Sequence, residues 1–537
     1  MSSDFVYLNG PVFTGAAAPR FARAVAVTGE RIVAVGQEPD VTGLIGPGTE
    51  VIDLAGRLLS AGFQDAHVHP GSSGLDLLRC SFDGCNDAES AVAFVVSYAE
   101  SRPDEPWILG GGWSQDWFPR GCPPKEMLDS IVADRPILLY NRDGHGAWAN
   151  SLALKRAGVD EATEDPVDGR IERNVDGSPQ GTLHEGATRL VQRIAPADSF
   201  DDIRAGMLRG QDYLLSLGIT GWQDAHVDEP THQVYRSLAE GGKLVGHAVG
   251  ALWWDRHRGM DQIEELEQMR AEPMGRYEPG PVKLMLDGVV ESKTASMIEP
   301  YLENRDQTEN RGIDFIHPHQ LQEIVTELDR RGFSCHFHAI GDAAVRNAID
   351  AVEAARIANG WLAGRHHIAH LQVIHPDDIP RFRRLGVTAN IQALWACDGG
   401  YQTELTKPVL GPQRTNWQYP FGSLFRSGAT LAMGSDWGVS TANVMEQVAV
   451  AVSRTSVDEP DLPPLNTGER LDLGTALTAF TAGSAYVNHR DGESGMVVPG
   501  MLADLVVLDG DPFDGQVAGI GVTMTMVSGE VVYRSGM

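Results

Sequence analysis

Cysteine is scarce in this chain, with five in 537 residues, an odd number without paired metal-type spacing. That excludes a disulfide framework or a cysteine-rich zinc module and suits reduced thiols in a cytosol. Positive charge is also short: 43 Lys and Arg stand against 73 Asp and Glu, a formal net charge of −30. Nucleic-acid binding leans on clustered cations to neutralise phosphates, so no nucleic-acid partner is expected, and the charge reads as a solubility device. No apolar run approaches the ~18 residues of a membrane span. The opening "MSSDFVYLNG" is acidic and poor in apolar residues, so no signal peptide is read there and a soluble, cytoplasmic protein is expected.

What is present is the material of a large core. Hydrophobic residues make up 42% of the chain, ample for burial. The first 58 residues alternate short β-rich runs with turns, and the stretch 485–537 repeats the pattern: "TGERIVAV" and "SGEVVYRS" are nearly interchangeable. Two such segments at opposite ends pair most simply into one small β-sandwich domain. Between them, over 59–484, eight β-rich runs end in Gly, Asp or His with helical patterns in between: "AGFQDAH", "GITGWQDAH", "KLVGHAVGALWW", "VKLMLDG", "FSCHFHAIGD", "HHIAHLQV", "GVTANIQAL" and "ATLAMGSDW". Eight strand-helix units close a TIM (β/α)8 barrel of the α/β class. The long gap after the first strand predicts an insertion over about 75–215, on the loop side where barrels build active sites.

The chain has three His-x-His pairs, His67/His69, His317/His319 and His336/His338, where chance alone gives roughly half a pair. Position sorts them. Strand periodicity puts His67 and His69 on one face at the end of the first strand, as two ligands to one cation require. His338, His370 and Asp436 each end a later strand at the same rim, completing a nitrogen and oxygen set suited to zinc or a similar divalent ion. His317/His319 lies beside a Pro and reads as a helix start. His336 sits a layer deeper than His338 and reads as a hydrogen-bonded core histidine, as do His366 and His367. In "VKLMLDG", Lys283 shares a face with Met285 and Asp287. An inward Lys is costly unless paired with Asp287 or chemically altered. Carboxylation to a carbamate would make it an anionic ligand bridging two metals.

The ordered motifs "FQDAHVHP", "GGGWSQDW", "DGHGAWANSLAL", "GTLHEGA", "VKLMLDGVVESKTASMIEPY", "HFHAIGDAA", "HHIAHLQVIHPDD" and "GSDWGV" resemble, nearly end to end, the amidohydrolase superfamily and its long-chain branch containing N-substituted formamide deformylases. The resemblance implies His67, His69, His338 and His370 as metal ligands, Asp436 as ligand and proton shuttle, and Lys283 at the position of the carbamate bridge, with Glu185 as the alternative bridge. One or two ions stay open. A metal lowers the pKa of water toward ~7, so hydroxide is available at neutral pH. His145, in the insertion, is a candidate donor to the substrate oxyanion. Trp113, Asp287, Trp395 and Trp437 are candidate substrate contacts. Hydrolysis of an amide C–N bond of a small molecule is the expected activity. Deamination is the competing one, although "HAIGD" lacks the Glu that such relatives carry three residues on, and ester, carbamate or lactone hydrolysis is chemically adjacent. A homodimer is a superfamily expectation, and a structural, non-enzymatic role is disfavoured because the ligand residues are all present.

Overall fold

The computed structural model describes residues 2–18, 20–302 and 309–535. Its centre is an eight-stranded sheet of β1 (Phe63–Val68), β2 (Ile219–Val227), β3 (His247–Trp253), β4 (Tyr277–Met285), β5 (Cys335–Ala339), β6 (His367–His370), β7 (Thr388–Ile391) and β8 (Leu431–Met433). The strands lie in chain order, each parallel to the next. Sequential parallel strands joined through helices make a TIM barrel, and all eight expected runs are in it. Every residue of β1, β5, β6 and β7 is buried, as parallel strands covered on both faces must be.

Closure between β1 and β8 falls at their C-terminal ends. The Asp436 amide donates to the His67 carbonyl at 2.8 Å, and the His69 amide to the Trp437 carbonyl at 2.9 Å. One oxygen of buried Asp65 accepts from both the His67 and the Ser435 amides at 3.0 Å. The seam of the barrel is thereby also the place where the metal-type residues meet.

After β1 the chain runs into helix α1 (Pro70–Asp76) and then builds a separate mixed sheet, in the order Gly169–Arg173, Pro179–Glu185, Gly146–Ala149, Ile137–Asn141, Ile108–Trp113 and Cys80–Ser81. This layer has its own apolar core of residues such as Phe82, Val95, Phe118 and Trp148. Helix α2 (Phe200–Ser216) brings the chain back. Met207 and Leu214 of α2 join the barrel core, so the inserted sheet itself occupies 80–185, within the longer stretch expected from spacing.

Both termini contribute to a second six-stranded sheet, in which Leu505–Leu508 pairs antiparallel with Leu59–Ala61. A four-stranded sheet from the first 53 residues packs on it, with Tyr7, Val25 and Val27 against Leu59, Leu505 and Met526. Leu59–Ala61 leads directly into β1, so the terminal sheets hold the base of the first barrel strand. Among the described residues no helix is long and apolar enough to cross a membrane.

The crossing of α1 and α2 depends on glycine, because the two backbones touch. A Cβ at Gly74 would lie 1.9 Å from the Gly206 carbonyl oxygen, and one at Gly210 would lie 2.2 Å from that of Pro70. Gly74→Ala must push the helices apart, and by the usual cost of overpacking it lowers stability by about 1–3 kcal/mol. Urea unfolding should show the midpoint falling with an unchanged slope; an unmoved midpoint would mean that the crossing can relax freely.

Candidate metal centre

His67 and His69 reach the barrel mouth from the end of β1, and Asp436 meets them from the loop after β8. Asp436 Oδ1 lies 3.5 Å from His67 Nε2 and 3.3 Å from His69 Nε2, while Oδ2 lies 3.7 Å from His370 Nδ1. Ligating atoms of His67, His69 and Asp436 all fall within 4.8 Å of one another. His67, His370 and Asp436 are buried, and His69 keeps 27% of its side chain exposed, so the centre is open on one side. Asp436 and His370 both hold positive φ, 52° and 78°, a costly backbone conformation for such residues that orients their side chains at the rim.

The surrounding groups fix which atoms point inward. His336 Nε2 sits 2.8 Å from His67 Nδ1, leaving His67 Nε2 for a metal. His338 Nδ1 donates to Asp287 at 3.2 Å, and Asp287 is itself held by the amides of Ser296, Ile340 and Gly341. The His370 amide donates to Gln392 at 2.6 Å, and the indole of Trp395 stacks on the His370 ring at 5.5 Å. Such partners fix ring orientation and tautomer around metals. Lys283 Nζ lies 3.5 Å from His67 Nε2. Burial pushes the Lys283 ammonium down to about 7, with Asp436 opposing. Burial, aided by neighbouring Lys283, His145 and His338, also holds His67, His338 and His370 well below the ordinary imidazole value. They are therefore neutral, the form that ligates.

A divalent ion fits this donor set. Asp436 Oδ1 and His370 Nδ1 are buried without a hydrogen-bond partner among the described residues, and orphaned polar atoms of this kind call for a ligand.

On the insertion side, the His145 Nδ1–H donates to both carboxylate oxygens of Glu185, at 3.0 and 3.1 Å. Burial works against a charge on His145, but Glu185, with Asp143 and Asp287, outweighs it and pushes the imidazole up to about 9. The ring lies 5.3 Å from that of His338. A charged imidazole thus stands beside neutral ones.

The sequence matches the model of the amidohydrolase family over residues 50–533. The chain belongs to that family. It is 30% identical to Protein LONG AFTER FAR-RED 3 of Arabidopsis thaliana, over 99% of this chain and 92% of that one. It is 26% identical to the N-substituted formamide deformylase of Arthrobacter pascens, over 99% and 98%. In fold it is similar to an uncharacterized metal-dependent hydrolase from Pyrococcus furiosus, with a TM-score of 0.72 at 24% identity, covering 95% of this chain and 99% of that one.

In this amidohydrolase, four residues differ from their expected places. Trp113 is fully buried in the insertion core, where its indole N–H donates to the Leu139 carbonyl; the aromatic run around it packs a sheet and does not line a pocket. Asp287 is fully buried and orients His338, so it is not a substrate contact. Glu185 is engaged by His145 and by the Thr294 hydroxyl at 2.7 Å, which takes it out of the bridging position. Gly288 permits that arrangement, because a Cβ there would lie 2.1 Å from Glu185 Oε1. Trp395 stacks on His370, whereas the Trp437 ring packs away on Tyr213 of helix α2, at 4.5 Å. Outside it, His317 accepts from the His319 amide at the start of helix Pro318–Arg330, His366 pairs with Asp329, and His367 with Gln223.

Sequence reasoning missed Asp65, and it missed His226 at the end of β2, whose ring lies 4.3 Å from that of Trp253. The signal was present. "QDAH" occurs in both β1 and β2, and each Asp accepts from the amide of its own His at 3.0 Å.

Because Asp287 holds His338, Asp287→Ala should weaken metal binding by roughly 10–100-fold. Chelator competition on the purified protein checks this, and unchanged affinity would remove His338 from the ligand set.

Proposed function

We propose that this amidohydrolase cleaves a linear, non-peptide amide C–N bond of a small molecule, of the N-substituted formamide or N-acyl amine type. His67, His69, His338, His370 and Asp436 would hold one or two zinc-like divalent ions. The observation that carries the reading is the buried Asp436 carboxylate, whose Oδ1 has no hydrogen-bond partner among the described residues and lies within 3.5 Å of the Nε2 atoms of His67 and His69. A bound ion supplies Lewis-acid polarisation of the scissile carbonyl and makes water acidic enough to attack at neutral pH.

The chain's own groups do the rest. Asp436 Oδ1 accepts the proton of the attacking water and returns it to the leaving nitrogen, without which an amine is too poor a leaving group. His145, kept charged by Glu185, donates to the carbonyl oxygen as negative charge develops there, a role worth about 3 kcal/mol in good geometry. Trp395, stacked on His370, and Trp253, beside His226 at the rim, offer flat faces to an aromatic substituent. The amide preference is further supported by the relative from Arthrobacter pascens, whose name gives N-substituted formamides as its substrates.

Lys283 joins the ligand set as a carbamate. Its neutral amine adds carbon dioxide at Nζ and releases one proton to solvent, leaving an anionic oxygen pair near His67. Burial supplies that neutral amine.

Elemental analysis of protein purified without chelators, paired with assays on aryl and benzyl formamides and acetamides, tests the whole reading. Bound divalent metal and formamide cleavage are expected together, and a metal-free, fully inactive protein of intact fold would overturn it. Asp436→Asn should lose about 10²–10⁴-fold in kcat, the usual contribution of a positioned acid-base, while keeping much of its metal; undiminished turnover would remove the proton-shuttle role. Lys283→Ala should lose metal and activity, with partial recovery in short carboxylic acids, and full activity without rescue would sink the carbamate.

A further inference from the structure

Three ligating side chains of different chemistry converge in the insertion, away from the barrel mouth. Cys122 Sγ lies 3.9 Å from His184 Nε2, which lies 3.1 Å from Glu172 Oε1. One ligating atom from each falls within 4.8 Å of the other two. They come from three separate segments, the loop before Lys125, strand Gly169–Arg173 and strand Pro179–Glu185, and they wall a cavity of about 70 Å³. That is space for an ion and a water molecule, whose share of liquid volume is about 30 Å³.

Two neighbouring features suit a ligand better than a closed hydrogen-bond triad. His184 is buried, and its Nε2 faces both Cys122 Sγ and Glu172 Oε1. Arg170 grips Glu172 Oε1 with Nε at 2.9 Å and Nη2 at 2.7 Å, the kind of outer partner that holds a ligating carboxylate in place.

We infer that the insertion carries a second divalent-metal site, held by Cys122, Glu172 and His184 and suited to a borderline-soft ion such as zinc. Sulfur, imidazole nitrogen and carboxylate oxygen are all zinc donors, and three protein ligands leave the fourth position for water. On binding, the sulfur–metal bond forms as the thiol proton leaves to solvent. The S–H contact to the Arg120 carbonyl, now 3.2 Å, is given up. The His184 Nε2 lone pair turns to the ion as its proton moves to Nδ1. Burial pushes the free Cys122 thiol up to about 12, so the ion, as metals do with coordinating thiols, must drive the deprotonation. A thiolate and a carboxylate together neutralise the ion's two charges, while Arg170, Arg120 and Lys293 lie near enough to act on the cluster electrostatically.

The occupied site would tie the Cys122 loop to two strands, the second of which ends in Glu185, the partner of His145. It would stabilise the insertion by mass action as ion is added.

Cobalt(II) titration of the full, chelator-treated chain tests this directly. Thiolate ligation gives a near-ultraviolet charge-transfer band that the nitrogen and oxygen ligands at the barrel mouth cannot produce. The band should saturate at one thiolate-bound cobalt per chain, bleach on adding zinc, vanish in Cys122→Ser and persist in Cys397→Ser. Glu172→Gln keeps the thiol and should weaken cobalt binding at least tenfold, which covers the case of a misfolded Cys122→Ser. No band in the parent chain, a band surviving Cys122→Ser, or unchanged affinity in Glu172→Gln would each overturn the site.

Discussion

The seam between the first and last barrel strands is the constraint on which the rest of the molecule depends. Eight parallel strands leave two edges unless the first and last meet, and here they meet through the backbones of His67, His69, Asp436 and Trp437. The side chains of three of those residues are the ones that converge on a metal-sized space. Closing the sheet and assembling the centre are one event, and Asp65, accepting from both strands with one oxygen, fixes their register.

The other layers hold that seam from three directions. The terminal sheets grip Leu59–Ala61, immediately before β1. The α1–α2 crossing fixes the chain immediately after it, at a separation that only glycine allows. The inserted sheet then carries its last strand back to the barrel mouth, where Glu185 sets His145 beside His338. The candidate site is therefore composite, with the clustered His67, His69 and Asp436 from the barrel and the His145–Glu185 pair from the insertion.

Burial disfavours the charged imidazole at every histidine of the site, and the neighbouring charges decide where each one ends. His67, His338 and His370 are held well below the ordinary imidazole value by burial, with Lys283 and neighbouring histidines adding to it, although Asp436 or Asp287 lies against each. His145 is buried too, but the Glu185 carboxylate outweighs burial and pushes its imidazole up to about 9. Four side chains of one type are thus pushed in two directions, the pattern by which acid and base functions are separated in active sites.

Local pattern carried the barrel, because each strand announces itself by apolar β-rich residues ending in Gly, Asp or His, and the period of two places His67 and His69 together whatever surrounds them. His338 and His370 were legible for the same reason, at strand ends on one rim, while Asp436, expected to end the eighth strand, stands in the loop three residues beyond Met433. Residues whose role depends on a partner far along the chain were not. Trp113 reads alike whether it lines a pocket or fills a core, and only the stacking of the inserted sheet buries it. Glu185 and Asp287 are carboxylates near metal-type histidines in any linear reading; it took the packing of Thr294, Gly288 and three backbone amides against them to make one the partner of His145 and the other the holder of His338. Strand period and residue chemistry are local properties written in the sequence, whereas which lone pair is occupied and which is left for an ion is decided by contacts between different segments, which exist only once the chain has closed on itself.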